Sequence, residues 1–371
     1  MKLLYVVAKA EYFLSHRLAL CRQAQSSGFN VAVATTDFTK KDIHKIAGID
    51  AFPVEFRRGS LNPFVEIKTI IHLLAAFEKF RPSIVHNVAL KPALYGAAIA
   101  RFYNIPSVSA INGFGYIFTS RHLKARLLRP FVKLALKFIL NHSSATVLVQ
   151  NQQDFLDCKA LLPKSDLHFV PGSGVDTKTF YQVAKQGVFT FTLVARMLWS
   201  KGVGEFVGAA KNFVANNSSK KVRFLLVGSP DPENPESIPL TVLEKWHKEW
   251  AVEWLGHVDD IQNIYAQTHV AVLPSYREGL PKSLLEAMAC ELPIITTDAV
   301  GCGDIVNKGN GIKVPIKNLI ELEKAFETCF ADQKACQKMG LQGRKEIEKT
   351  YCVEIINREI INIYNKILHK K

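Results

Sequence analysis

The chain has 371 residues, more than one compact core usually holds, so two domains are expected. Its 48% hydrophobic and 22% charged content excludes a disordered chain. The formal charge of +14 is unevenly placed: residues 1–170 hold 22 Lys/Arg against 10 Asp/Glu, and between Lys79 and Gln153 there is no acid at all.

Short β-rich runs alternate with helical patterns along the whole chain, as in parallel α/β proteins. Met1-Lys2-Leu3-Leu4-Tyr5-Val6-Val7-Ala8 reads as a buried first strand, not a secretion signal, because Lys9, Glu11, His16 and Arg17 follow directly. No apolar run reaches the roughly 18 residues that a membrane span needs, so a cytoplasmic protein is expected. Further strands are predicted at 30–35, 84–86, 107–111 and 145–150, with helices at 14–27, 63–80, 92–103, 123–141 and 152–162. Pro63 and Pro92 suit the first turn of a helix, where a missing N–H costs nothing.

Pro171-Gly172-Ser173-Gly174-Val175-Asp176 has the composition of a hinge. Beyond it, strands are predicted at 190–195, 222–227, 252–255, 270–273 and 293–296, and helices at 202–214, 261–268 and 281–290. Two more helices begin near Leu319 and Val353. The chain thus divides into an N-terminal domain (1–170), a C-terminal domain (171–352) and a closing helix (353–371) expected to return to the N-terminal domain. Open parallel sheets bind ligands beyond the carboxyl ends of their strands, so two such sheets facing a cleft define where to look. The seven cysteines are scattered and form no CxxC pair, which argues against zinc or a disulfide framework and for core positions.

The densest chemistry lies in Leu273-Pro274-Ser275-Tyr276-Arg277-Glu278-Gly279-Leu280-Pro281-Lys282-Ser283-Leu284-Leu285-Glu286. A strand ends, a turn carries an acid and a glycine, and a helix begins at Pro281. The N–H groups from Gly279 to Ser283 suit an anion such as a diphosphate. Glu278 and Glu286 can accept hydrogen bonds from paired sugar hydroxyls. Read singly, either is equally a solvated acid favoured by the helix dipole. Arg196, at a strand end, and Lys201, at the next helix start, are placed to neutralise a leaving diphosphate from one crevice mouth.

Three features taken together resemble the family 4 retaining glycosyltransferases. They are Glu278-x7-Glu286, Ala195-Arg196-x4-Lys201-Gly202, and Gly172-x-Gly174-Val175-Asp176, supported by Leu226-Val227-Gly228, Leu255-Gly256-His257-Val258 and Gly309-Asn310-Gly311. The resemblance implies the GT-B fold, two Rossmann-like domains facing a cleft, and a metal-independent hexosyltransferase without cofactor. By it Arg196 and Lys201 bind the donor diphosphate and Glu286 holds the ribose. Glu278 with Gly279 and Leu280 contacts the donor sugar, while Gly228, His257 and Val258 embrace the base; Pro281 and Ser283 complete the donor set. The departing phosphate is expected to deprotonate the acceptor hydroxyl, so no protein nucleophile is assigned. No Asp-x-Asp stands where a cation could bridge phosphates.

The N-terminal half departs from the family pattern. Lys9-Ala10-Glu11 replaces the usual Gly-Gly loop, and Asn112 stands near the position of a common histidine. His16 and His86 are placed at plausible rims. Glu55-Phe56-Arg57-Arg58-Gly59 resembles a segment of bacterial enzymes that add N-acetylhexosamine to undecaprenyl-diphosphate-linked sugars, so Arg57, Arg58 and Lys91 are acceptor-diphosphate candidates. Between Arg121 and Leu140, cations alternate with Leu, Phe, Val and Ile at helical spacing. Such a helix suits an anionic membrane surface, or packs on its own sheet with a solvated basic face.

The expected activity is transfer of a hexose or N-acetylhexosamine from a UDP-sugar to a lipid-diphosphate-linked saccharide. The setting is bacterial surface-glycan synthesis (O-antigen, lipopolysaccharide, capsule or glycoprotein glycan), on the cytoplasmic face of the inner membrane. A non-hydrolysing UDP-sugar epimerase shares the fold plan and is the alternative. Nucleic-acid binding rests on charge alone, with no motif to support it, and is not expected.

Overall fold

The computed structural model describes residues 1–40, 42–57, 60, 62–111, 123–184, 187–217, 221–249, 252–307 and 309–369. They fall into two units, Met1–Ser173 with Ile355–Lys371, and Gly174–Glu354.

In the first unit the chain runs β1 (Lys2–Val7), α1 (Ala10–His16), α2 (Leu18–Ser26), β2 (Asn30–Thr35), β3 (Asp50–Pro53), α3 (Pro63–Phe80) and β4 (Ile84–Val88). It continues with α4 (Leu90–Phe102), β5 (Ser107–Ile111), α5 (Leu123–Leu140), β6 (Ala145–Val149), α6 (Gln152–Leu161) and β7 (Asp166–Phe169). The parallel sheet has the order β3-β2-β1-β4-β5-β6-β7, so the winding reverses between β1 and β4. The central strands are apolar at nearly every position because helices cover both faces. Leu3, Tyr5 and Val7 pack with α1 and α2, while Leu4 and Val6 pack with α3 and α4.

The second unit contains β8 (Phe189–Val194), α7 (Val203–Asn216), β9 (Val222–Val227), α8 (Leu240–Glu249), β10 (Glu253–Trp254), α9 (Ile261–Gln267) and β11 (Val270–Leu273). Then come α10 (Lys282–Ala289), β12 (Ile294–Thr297), β13 (Gly311–Val314), α11 (Leu319–Ala331) and α12 (Gln333–Glu346). Its parallel order, β10-β9-β8-β11-β12-β13, reverses between β8 and β11. Phe191, Phe206, Phe213, Phe224 and Phe326 form an aromatic core on one face; Phe191 and Phe224 stack at 5.1 Å. Gly174 (φ 73°) lies where a Cβ would stand 2.5 Å from Val353 Cα, and Val175 bridges Cys352. The chain therefore enters and leaves this unit side by side.

The last helix, α13 (Val353–His369), returns to the first unit. Ile356, Ile360 and Tyr364 join the core beside Leu3 and Tyr5. The elements that the sequence reading leaves out are instructive. β3, β7 and β13 are short edge strands, half-exposed, and so lack the continuous apolar run that marks a central strand. One helix expected at 14–27 is two, broken at Arg17 (φ −129°). The first begins early because Thr36 Oγ1, at the end of β2, accepts the Ala10 N–H at 3.0 Å, a contact that no local pattern reveals.

Candidate functional site

Within the second unit the predicted donor residues gather where the winding reverses. After β8 the chain turns through Trp199–Lys201 and enters α7 at Gly202 (φ 72°). A Cβ on Gly202 would stand 2.1 Å from the Pro274 carbonyl oxygen, so only glycine allows this loop against the end of β11. Two hydrogen bonds join the loops: Tyr276 N–H donates to Ser200 O at 2.9 Å, and Ser275 Oγ donates to the same oxygen at 3.1 Å. Across this seam Lys201 Nζ pairs with Glu278 Oε1. Both side chains are largely withdrawn from solvent, at 18% and 13% exposure.

Behind Glu278 lies a turn whose part the sequence reading leaves unassigned. Gly301 (φ 80°) sits where a Cβ would stand 2.3 Å from Glu278 O and 2.8 Å from Gly279 O, and Glu278 N–H donates to Val300 O at 3.0 Å. The chain bends at Gly279 and Leu280, but the left-handed glycine that lets the two segments approach is Gly301, not Gly279. Its signal was the Gly301-Cys302-Gly303 run. Pro281 is buried and precedes α10, with its carbonyl accepting from Leu284 and Leu285. The first turn of α10 contains Lys282 and Ser283, whose N–H groups have no acceptor within the helix. Leu280 packs on the core beneath.

Glu286 lies one turn into α10 with its side chain 13% exposed, and Lys282 Nζ approaches its Oε1 at 3.3 Å. Burial raises its carboxyl above the usual range, and Lys282 only partly offsets this. Tyr265, fully buried, donates to Ser283 O at 2.6 Å and fixes the helix start from below. Neither Lys282 nor Tyr265 was anticipated as a partner.

Arg196 does not share its acid with Lys201. Its Nη1 lies 2.5 Å from Asp231 Oδ2, on the loop after β9, so the two cations reach toward opposite neighbours of β8. Gly228 (φ 137°) makes this possible, because a Cβ there would stand 1.8 Å from Ala195 O. Trp254 Nε1 donates to Gly228 O at 2.9 Å. His257 is 72% exposed and its Nε2 lies 3.1 Å from Asp259; Val258 follows it, half-buried.

The first-unit candidates fare differently. His86 is not at a rim: it is fully buried, its Nδ1 bonded to the Tyr364 hydroxyl of α13, its ring 5.3 Å from that of Tyr5. Burial, then the nearby Arg17 charge, holds its pKa well below the ordinary value, so it is neutral. His86→Phe is therefore expected to leave kcat unchanged while lowering stability by about 1–3 kcal/mol, because the buried Tyr364 hydroxyl loses the His86 bond and keeps only the longer one, 3.4 Å, to the Tyr5 hydroxyl. Thermal unfolding alongside initial rates checks this, and a collapse of kcat in a folded variant would return His86 to the site.

Lys91 is also not free to meet a diphosphate. Its three ammonium hydrogens go to Glu66 Oε1 (2.7 Å), Arg57 O (2.6 Å) and Ser60 O (3.0 Å), which ties Arg57 and Ser60 to α3 and α4. Arg57 is exposed and pairs with Glu55 at 2.8 Å. His16 stacks on Tyr12 at 4.0 Å and bonds Ser15 Oγ through Nδ1. Arg58 and Asn112 lie outside the described residues. At the end of β4, where this sheet's winding reverses, Ala89 has φ 80° and ψ 171°, a conformation costing about 1–3 kcal/mol for a residue with a Cβ.

Known proteins resemble this chain in sequence and in fold. The sequence family described as Glycosyl transferase 4-like matches residues 2–151, and that described as Glycosyl transferases group 1 matches residues 188–332. The chain is 26% identical over 354 residues to the N,N'-diacetylbacillosaminyl-diphospho-undecaprenol alpha-1,3-N-acetylgalactosaminyltransferase of Campylobacter jejuni, covering 91% of each. It is 26% identical to the UDP-Gal:alpha-D-GlcNAc-diphosphoundecaprenol alpha-1,3-galactosyltransferase of Escherichia coli, over 81% of this chain and 79% of that protein. Sucrose-phosphate synthase from Thermosynechococcus elongatus has the same fold, with a TM-score of 0.83 at 18% identity and full coverage of both chains. With both halves matched, this chain belongs to the group 1 (4-like) glycosyltransferases.

Proposed function

We propose that this glycosyltransferase moves a hexose or N-acetylhexosamine from a UDP-sugar to a lipid-diphosphate-linked saccharide, with retention and without a metal ion, in bacterial surface-glycan synthesis. The observation that carries the reading is the Lys201–Glu278 pair across the β8/β11 reversal, because that is where an open parallel sheet binds its ligand. A cation and a carboxylate withdrawn from water there match a diphosphate and a sugar ring. Glu286 is set to hold the ribose, Arg196 to share the phosphate charge, and Gly228 with His257 and Val258 to border the base. Negative charge develops on the diphosphate as the glycosidic bond breaks, and fixed cations stabilise it without reorganising. The departing phosphate takes the acceptor proton.

The two relatives are named for undecaprenyl-diphosphate-linked acceptors, and one for a UDP-sugar donor. They support the same substrate classes here. Work at the cytoplasmic face of the inner membrane is the setting that suits such an acceptor, and in this reading Met1–Ser173 meets the acceptor and Gly174–Glu354 the donor. Arg57 keeps its place as an acceptor candidate; Arg58 and Asn112 stand on the sequence alone.

Radiolabelled UDP-sugars incubated with enzyme and bacterial lipid extract test the reading. Label is expected to pass into the lipid fraction with release of UDP, only when both substrates are present. Conversion of a UDP-sugar to its epimer without any lipid would replace transfer with isomerisation.

A further inference from the structure

A helix laid on a sheet normally has one apolar stripe, which it buries. α5 has two. Leu136 and Leu140 are buried and Val132 and Ile139 partly so, joining Val147 and Val149 of β6 in the core. Leu127, Phe131, Leu134 and Phe138 point away from that core and are 62%, 71%, 66% and 75% exposed. At about 100° per residue these four fall within roughly 60° of the helix circumference, so they form one narrow ridge. Arg126, Lys133 and Lys137 are exposed along one flank of it.

The ridge has neighbours. Arg101, near the end of α4, lies 5.4 Å from the Phe138 ring centroid and donates to the Phe138 carbonyl at 2.5 Å, which holds the end of α5 in place. Phe102 beside it is 78% exposed. On the same side of the sheet α3 presents a second outward row, Phe64, Ile67 and Ile71, at 83%, 53% and 57% exposure. Exposed apolar rows of this extent mark a surface that is covered in use.

We infer that the outer faces of α5 and α3 seat the enzyme on an anionic bilayer, the α5 ridge entering the boundary between headgroups and acyl chains while Arg126, Lys133 and Lys137 meet lipid phosphates. Charge decides the occupant. Arg101, Arg126, Lys133 and Lys137 flank the ridge, and the sequence from Lys79 to Gln153 supplies no acid to offset them, so a second copy of this chain would bring like charge against like. A soluble polyanion satisfies the cations but leaves four large apolar side chains in water. An anionic membrane satisfies both. Among the described residues no helix is long and apolar enough to cross a membrane, which fits a helix lying in the interface plane.

This inference rests on the lipid-linked acceptor reading, and the experiment separates the two. Full-length enzyme is co-sedimented with vesicles of phosphatidylglycerol and phosphatidylethanolamine, and with phosphatidylcholine vesicles as the uncharged control. The wild type is expected to bind the anionic vesicles, more weakly at high salt. The quadruple variant Leu127→Ser/Phe131→Ser/Leu134→Ser/Phe138→Ser and the charge variant Arg126→Glu/Lys133→Glu/Lys137→Glu are each expected to lose at least tenfold in binding. Both keep the wild-type circular dichroism spectrum and thermal unfolding, which verifies that they fold, and both still turn over acceptor dispersed in detergent.

Vesicle binding unchanged in both folded variants overturns the docking surface, whatever the transfer assay shows. Wild-type enzyme inert toward every lipid-diphosphate acceptor in detergent overturns the substrate reading and leaves the vesicle result standing. A dimeric wild type that becomes monomeric in the quadruple variant assigns the ridge to a second copy and also overturns the proposal.

Discussion

Replacing Lys201 with methionine is expected to lower kcat about 10²- to 10³-fold, the usual consequence of removing one fixed group from a site of developing charge. The effect has two parts that can be measured apart. Lys201 supplies positive charge where the diphosphate leaves, and it neutralises Glu278 across the seam between the loops after β8 and β11. Without it, Glu278 faces an incoming diphosphate as an unpaired carboxylate, so donor affinity should fall together with turnover. The double variant Lys201→Met/Glu278→Gln removes that repulsion and is expected to regain UDP affinity without regaining kcat. Titration calorimetry with UDP and initial-rate kinetics read the two terms. Equal kcat in Lys201→Met and wild type would remove Lys201 from the mechanism. Lys201→Arg keeps the charge but not the compact ammonium, and should fall between the two.

Glu286→Gln is expected to trade activity for stability. Charge-assisted hydrogen bonds to the ribose weaken, so kcat/KM should drop about 10- to 10²-fold. The fold, however, holds this carboxyl at a raised pKa, with burial the main cause and Lys282 only a partial offset. A raised folded-state value means that the native state binds the proton more tightly than the unfolded chain does. Stability from this group is then fully present below the unfolded value, about 4.3, and is lost as pH rises through the folded one. Glutamine carries no such dependence. The variant should therefore match the wild type at low pH and exceed it near neutrality, by about 1 kcal/mol or some 2–4 °C in Tm. Thermal unfolding across pH 4 to 8 checks the crossover. A variant less stable than wild type at pH 7 would mean that the Lys282 pair outweighs burial.

Both predictions concern residues that were visible before any coordinates, because a carboxylate eight positions after another, and a cation at a strand–helix turn, are local patterns. Their partners were not. Asp231 holds Arg196, Gly301 shapes the Glu278 turn, and Tyr265 props the start of α10. Asp231 and Gly301 lie on other strand-to-helix connections than the residues they serve, and Tyr265 lies in α9, so only the winding order of the sheet brings them together. The N-terminal candidates show the same limit from the other side. His86 and Lys91 carry suitable chemistry, yet α13 takes the first into the core and α3 takes the second into a loop clamp.

From the sequence alone came the alternation of strands and helices, the two-domain division, the donor motif and the basic, acid-free half. These depend on composition and on spacings of a few residues, which local backbone geometry reads directly. The tertiary structure decided what those residues face. A Leu/Phe row at helical spacing reads the same whether it packs on a sheet or points to solvent, and α5 has one row of each kind. Likewise a buried glutamate and an exposed one are the same letter. Burial, pairing and close backbone approach at Gly202, Gly228 and Gly301 depend on segments far apart in the chain, and they exist only once the sheets are wound.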